Sequence, residues 1–306
     1  MTVMFEKVAI LGLGLIGSSI CLGVRENKLA KVISGHAKSV ETRTVALEIG
    51  LVDEVHEKAG DAVKGADLVI LCAPIGAYGL LAEAIKPQLK AGAILTDVGS
   101  VKGAVIRDCG PHVPKGVHFI PGHPIAGTEQ SGPYAGFASL FHGRWCILTP
   151  VPGSDEQAVA KLTTFWQALG SMVDIMDADH HDLVLAITSH LPHLIAYNTV
   201  ATAADLESVT NSEVIKYSAS GFRDFTRIAA SDPTMWRDVF LNNKDAVLEM
   251  LGRFSEELAV LQRAVRWGDG ETLFNLFTRA REVRRGIIAA GQDTAAPDFG
   301  RGQGKT

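Results

Sequence analysis

The chain is short of cysteine, of excess positive charge and of long apolar runs, and each shortage argues against a class of function. The only cysteines in 306 residues are Cys21, Cys72, Cys109 and Cys146. They are widely spaced and form no C-x-x-C pair, so they read as small core residues of a reducing compartment rather than as disulfides or zinc ligands. A cytoplasmic protein without a metal site is expected. Lysine and arginine number 29 against 34 aspartates and glutamates, a net charge of −5, and no basic cluster sits beside an aromatic platform. Nothing there makes a footprint for nucleic acid. The apolar stretch 68–82 is too short to span a bilayer and contains Pro74, Gly76 and Gly79. The stretch 8–17 lacks a basic leader and a small-residue cleavage site, so no export signal is predicted. No internal repeat is evident.

What the chain does have begins near its start. An apolar run, Lys7 to Leu11, flows into Gly12-Leu13-Gly14-Leu15-Ile16-Gly17 and then into the helix-compatible Ser18 to Leu22. Glycines at this spacing let the backbone turn off a strand, approach a pyrophosphate and pack the next helix on the sheet. Gly12, Gly14, Leu15, Ile16 and Gly17 are therefore candidate binders of a nicotinamide or flavin cofactor, although such turns also occur without a ligand. In NAD binders an acidic residue about 20 positions on accepts hydrogen bonds from the ribose. Here that place holds His36-Ala37-Lys38-Ser39. With no carboxylate to repel a 2′-phosphate, and with Lys38, Ser39 and Arg43 able to bind one, the segment leans toward NADP. The alternative, solvated turn residues in an enzyme using NAD or both cofactors, stays open. Ala73 and Pro74, where the run from Leu68 turns from strand toward helix, complete the cofactor candidates together with Ser100.

The pattern implies two domains. At 47% hydrophobic and 21% charged residues, the chain can bury one large core or two moderate ones. Short apolar or β-branched runs at 32–35, 68–73, 94–98, 118–120, 145–148 and 173–176 alternate with helical or turn-rich segments. That alternation predicts a mostly parallel sheet wrapped by helices, an α/β dinucleotide-binding domain over 1–176. From Asp177 the strand signals fade. Leu183, Ile187, Leu194 and Ile195, then Val247, Leu251, Phe254, Leu258 and Leu261, follow helical spacing. An all-α second domain over 177–291 and a disordered tail over 292–306 are expected.

Two segments at predicted strand ends carry candidate chemistry: Asp97-Val98-Gly99-Ser100-Val101-Lys102 and Pro121-Gly122-His123-Pro124-Ile125-Ala126-Gly127-Thr128-Glu129. Oxidation of an alcohol needs a base at the hydroxyl while hydride leaves the carbon, and histidine titrates in the useful range. His123 is that candidate, and a histidine that only closes a tight turn is the alternative. Farther on, His180-His181-Asp182 and Ser189-His190-Leu191-Pro192-His193 gather four histidines around one helix. Metal ligation by His190 and His193 is one reading. Distortion of the helix by Pro192 and polar contacts to a substrate explain the pattern better. Arg223 and Arg227 lie four apart and form either a cationic face for a carboxylate or an ordinary surface pair.

Taken in order, GLGLIGSS, DVGSVK, GHPIAGTEQSG, HHDLVLAITSHLPH and FRDFTRIAASDPTMW make the chain resemble the prephenate/arogenate dehydrogenases of tyrosine biosynthesis, from about residue 5 to about residue 290. The resemblance implies a Rossmann domain followed by an α-helical domain that builds a homodimer, with the active site in the cleft between them. It implies oxidative decarboxylation of prephenate, arogenate or both, with hydride passing to NAD or NADP. It makes His123 the catalytic base, Ser100 the serine near the substrate hydroxyl and the nicotinamide, and Arg227 the anchor of a substrate carboxylate. His193, Glu129, Trp236 and Arg223 match residues that line or support the substrate pocket. Two alternatives remain: another Rossmann-plus-α nicotinamide dehydrogenase, such as a β-hydroxyacid dehydrogenase, and a cofactor-sensing protein without catalysis. The first calls for a lysine motif in the helical part, and none is evident.

Overall fold

The computed structural model describes residues 3–128, 130–206 and 216–289. Six strands form the main sheet: β1 (Phe5–Leu11), β2 (Ala30–His36), β3 (Glu54–His56), β4 (Leu68–Leu71), β5 (Ile94–Asp97) and β6 (His118–Phe119). Their order is β3-β2-β1-β4-β5-β6, and every neighbouring pair is parallel. The helices between them are α1 (Leu15–Glu26), α2 (Val40–Glu48), α3 (Ala59–Val63), α4 (Tyr78–Ile85) and α5 (Lys102–Cys109). Strand order reverses between β1 and β4, so a crevice opens beyond their carboxyl ends, where ligands of such sheets bind.

The continuous apolar runs of β1 and β4 follow from burial on both faces. Val8, Ile10, Leu68 and Ile70 pack with Ile20, Val24, Phe165 and Trp166 on one side. Ala9, Leu11, Val69 and Leu71 pack with Tyr78, Ile85 and Val105 on the other. Each large apolar side chain buried in this way contributes about 1.5–3 kcal/mol.

The runs expected at 145–148 and 173–176 are strands but do not extend the main sheet. β7 (Gly122–Pro124), β8 (Trp145–Leu148) and β9 (Met172–Ile175) make a second, three-stranded sheet, with β7 antiparallel to β8 and β9 parallel to it. β3 and β7 have no counterpart in the sequence reading, because three residues are too few to show an alternation. α6 (Glu156–Ala168) connects β8 to β9.

After β9 the described chain is helical: α7 (Ala178–Leu185), α8 (Leu191–Asp205), α9 (Ser220–Thr226), α10 (Pro233–Asn242), α11 (Lys244–Trp267) and α12 (Gly270–Ala289). The distortion expected from Pro192 is present as a π-helical stretch, Ala186–His190, that joins α7 to α8. Proline has no N–H to continue the regular ladder, and the wider turn absorbs the mismatch. The chain divides into two compact units, one up to Leu248 and one from Glu249 on. The tail expected over 292–306 lies outside the described residues. Among those described, no helix is long and apolar enough to cross a membrane.

Candidate active site

The glycine-rich turn has the backbone that its sequence requires. Gly12 has φ +118°, and a Cβ there would lie 2.5 Å from the Cys72 carbonyl oxygen, so β1 and β4 meet too closely for any side chain. At Gly17 a Cβ would fall 1.9 Å from the Gly12 carbonyl oxygen, so α1 can pack onto the turn only without one. Gly14 differs, because its Cβ direction is open within 4 Å. It is also the N-cap of α1, with no side-chain cap and no acidic residue in the first turn. The first N–H groups of α1 therefore have no side-chain cap, and the positive end of a helix lies behind them, a cradle that fits a pyrophosphate.

At the end of β2, His36 is buried and its Nδ1 donates to the His56 carbonyl at 3.1 Å. Burial holds its pKa below the ordinary histidine value, with Arg43 and Lys38 adding to the shift. The selector position thus presents a neutral ring. Ser39 caps α2 by accepting from the Thr42 N–H at 3.3 Å. Arg43 Nη1 donates to the Ala37 and Lys38 carbonyls, each at 2.8 Å, which holds the guanidinium against this loop beside the exposed Lys38.

The catalytic candidates gather at the ends of β5 and β7. Asp97, the last residue of β5, is fully buried and paired with the equally buried Lys102 at 2.5 Å. Its carboxylate also accepts from the Gly99 N–H at 2.7 Å and the Gly122 N–H at 3.1 Å. Lys102 Nζ donates in turn to the Gly122 carbonyl at 2.6 Å. The Asp97–Lys102 pair therefore grips both polar groups of the residue before His123 and fixes β7 against β5. Removal from water pushes the Asp97 carboxyl above its usual range, opposed mainly by Lys102.

His123 is 8% exposed. Its Nδ1 lies 2.9 Å from His181 Nε2, and His181 Nδ1 lies 2.8 Å from Asp182 Oδ1. Asp182 then closes the start of α5, accepting from the Lys102 N–H at 2.7 Å and the Gly103 N–H at 2.8 Å. Val101, the local N-cap, has no side chain for this task. A carboxylate 80 positions away supplies the cap and ties α7 to α5. Burial first, then His181, Lys102 and His190, hold the His123 pKa well below the histidine norm. Burial lowers that of His181 as well, against the pull of Asp182.

On the π-helical stretch, His190 is buried with Nδ1 3.1 Å from Asn243 Nδ2, and the same amide donates to the Asp182 carbonyl at 2.8 Å. Burial lowers the His190 pKa to about 4, and the backbone of Ser100 lies beside it. His193 donates from Nδ1 to the Ser189 carbonyl at 2.8 Å and stacks on Trp236, with ring centroids 3.6 Å apart. Its pKa is lowered chiefly by burial and also by Arg227.

Ser100, His123, His193, Trp236 and Arg227 thus fall into one neighbourhood. Arg223 lies on exposed α9, one turn from Arg227. His180 is exposed and outside the cluster. Glu129 lies outside the described residues. Sequence reasoning assigned no role to Asp97, Lys102, His181, Asp182 or Asn243. The signals for the first four were polar residues inside DVGSVK and the adjacent His-Asp pair; Asn243 carries none.

Comparison with known proteins agrees with this architecture. The family profile for the nucleotide-binding domain of prephenate dehydrogenase matches residues 20–175, and that for its dimerization domain matches 177–279. The cyclohexadienyl dehydrogenase of Zymomonas mobilis is 42% identical over 280 residues, spanning 92% of this chain and 95% of that protein. The prephenate dehydrogenase of Bacillus subtilis is 34% identical over 300 residues, 98% of this chain and 80% of its own. The crystal structure of prephenate dehydrogenase from A. aeolicus with hydroxyphenyl propionate and NAD+ superposes with a TM-score of 0.87 at 32% identity, covering 94% of this chain and all of that one. An open phosphate cradle, a buried histidine cluster and matches along nearly the whole chain lead to one conclusion: this chain belongs to the prephenate dehydrogenase family.

Proposed function

We propose that the protein oxidatively decarboxylates prephenate, arogenate or both, passing hydride to NADP+ in preference to NAD+. The observation that carries the reading is the buried His123, backed by His181 and set beside the strand ends where the cofactor cradle also opens. Both substrates are cyclohexadienols with a ring carboxylate, so loss of hydride from the carbinol carbon and of carbon dioxide gives an aromatic ring. Aromatisation drives the reaction, and the protein must add orientation, a base and anchors for carboxylates. Bound nicotinamide supplies the hydride acceptor. His123 takes the hydroxyl proton, Ser100 lies near the same hydroxyl, and Arg227 holds a carboxylate as a charge-assisted partner. His193, stacked on Trp236, fixes one wall, Arg223 adds charge at the rim, and Glu129 keeps the substrate-binding role that the family resemblance gives it.

Gly12, Gly14, Leu15, Ile16 and Gly17 hold the pyrophosphate, with Ala73, Pro74 and Ser100 along the nicotinamide half. His36, Ala37, Lys38, Ser39 and Arg43 surround the ribose. The absence of an acidic group at His36, and the two cations beside the capped start of α2, favour a 2′-phosphate. Arg43→Ala is expected to lower kcat/KM for NADP+ by about tenfold or more and to narrow the preference over NAD+. The protein also acts as a homodimer in this reading, supported by the dimerization-domain match and by the exposed Trp267, Phe274, Phe277 and Val283. Its four cysteines are free, which supports a cytoplasmic location.

Purified protein given prephenate or arogenate, each with NAD+ or NADP+, tests the proposal when reduced nicotinamide and aromatic product are followed together. Coupled formation of both, faster with NADP+, is the expected result. Cofactor binding with no turnover in any pairing would assign the protein to another hydroxy substrate or to sensing.

A further inference from the structure

The base role of His123 requires a bare ring nitrogen directed at the substrate, and a neutral imidazole can carry its hydrogen on either nitrogen. The contacts behind His123 decide which. Asp182 is pinned by the N–H groups of Lys102 and Gly103 at 2.7 and 2.8 Å. A carboxylate only accepts, so His181 Nδ1, 2.8 Å from Asp182 Oδ1, carries a hydrogen and donates it. His181 Nε2 is then the bare nitrogen of that ring. His123 Nδ1, 2.9 Å away, must be the donor between them. His123 Nε2 is left without a hydrogen.

Resting on the reading of His123 as the base, we propose that His181 and Asp182 are positioning residues that lock His123 in its Nδ1–H form and hold the transferred proton within a buried His123–His181–Asp182 relay. Two other groups face His123, Lys102 and His190. Besides Asp182, Lys102 and Asp97 act on His181. Lys102 and Asp97 are paired with each other, so Asp182 is the negative group hydrogen-bonded to the relay. Its charge is placed to stabilise the imidazolium formed when His123 Nε2 accepts a proton, as the buried aspartate does in serine-protease triads.

The proton balance suits a sealed relay. The substrate hydroxyl gives its proton to His123 Nε2 as hydride leaves the same carbon for the nicotinamide. When the ring carboxylate departs as carbon dioxide, its bonding pair enters the ring and an electron pair moves onto the oxygen. That oxygen takes the proton back to become the phenol. One proton is lent and returned, so the relay needs no outlet to water.

Three variants and one spectrum test this. His181→Leu removes the acceptor and is expected to lower kcat about 10²–10³-fold while KM for substrate moves only a few-fold. In His181→Gln the amide oxygen can still accept from His123 Nδ1–H, so at least tenfold of that loss is recovered. Asp182→Asn should shift the acid limb of the pH profile of kcat, which loss of packing alone would not do. Independently of turnover, 15N spectra of histidine-labelled protein, assigned with His123→Asn, should show His123 bare at Nε2 in the wild type and mixed in His181→Leu. A wild-type His123 protonated at Nε2, or a folded His181→Leu with full kcat, overturns the relay. If His123 shows the Nδ1–H form but none of the four substrate and cofactor pairings turns over, the proposed function fails and the tautomer lock stands.

Discussion

Two helices, α1 and α5, start at the carboxyl ends of parallel strands, and their first turns are used in opposite ways. α1 begins at a glycine whose Cβ direction is open and which has no side-chain cap, so its first N–H groups lack a side-chain partner and suit an external anion. α5 begins under the Asp182 carboxylate, so its N–H groups are already spent inside the protein. In the proposed function, the same helix-end electrostatics bind a cofactor in one place and fix a histidine in the other. In that reading, affinity is left to a backbone-built cradle without a side-chain cap, whereas the chemistry is built into a buried network whose parts position one another.

The contrast predicts that damage at the α5 end costs rate and stability, and damage at the α1 end costs affinity. The largest effect is expected for His123→Asn, which should lower kcat about 10²- to 10⁴-fold with little change in KM. Steady-state kinetics read it directly, and unchanged turnover would remove His123 from the base role. Lys102→Met leaves Asp97 buried without its cation and should cost about 3–5 kcal/mol in urea unfolding. Adding Asp97→Asn should restore part of that loss, whereas additive losses would mean the two groups are not coupled.

Acid should weaken the same end. His190 has a folded pKa of about 4, below the unfolded value, so the unfolded chain binds more protons between those limits. Its contribution is complete above about pH 6.5 and drains as pH falls through that window, and the loss amounts to about 3 kcal/mol once pH is below the folded value. A His190→Gln variant with the same acid profile would contradict this assignment. The smallest effect sharpens the comparison from the other side. Gly14→Ala places a methyl in space that the protein leaves open, so melting should barely move while cofactor affinity drops about tenfold or more. A drop in melting temperature with unaltered affinity would reverse the roles given to the two helix ends.

How much of this was legible in the sequence follows the distance between partners. The glycine turn, the strands of the main sheet and the distortion at Pro192 are local, and each is written in adjacent residues. His123, His193 and Arg227 stood out by local chemistry and spacing, while their roles, and Trp236 altogether, came from the resemblance of their motifs to those of a known family. The relay could not, since His181 and Asp182 gain meaning only when the chain returns to His123 and α5 over separations of 58 and 80 residues. Asp97 and Lys102 were hidden for another reason. In a segment of mixed polarity nothing marks a lysine as fully buried, and only the fold shows its carboxylate partner and the Gly122 carbonyl closing around it. The short β7 strand was missed similarly, because its pairing with β8 and the grip of Asp97 define it rather than any alternation of its own.

The central claim, that a preorganised neutral His123 is the base, is tested most directly by the pH dependence of kcat/KM for the preferred substrate. Wild-type enzyme should show an acid limb with an apparent pKa below 6.5, set by the depressed titration of His123, and His123→Asn should lack that limb at its reduced rate. An acid limb that survives unchanged in His123→Asn would place the base elsewhere and contradict the account.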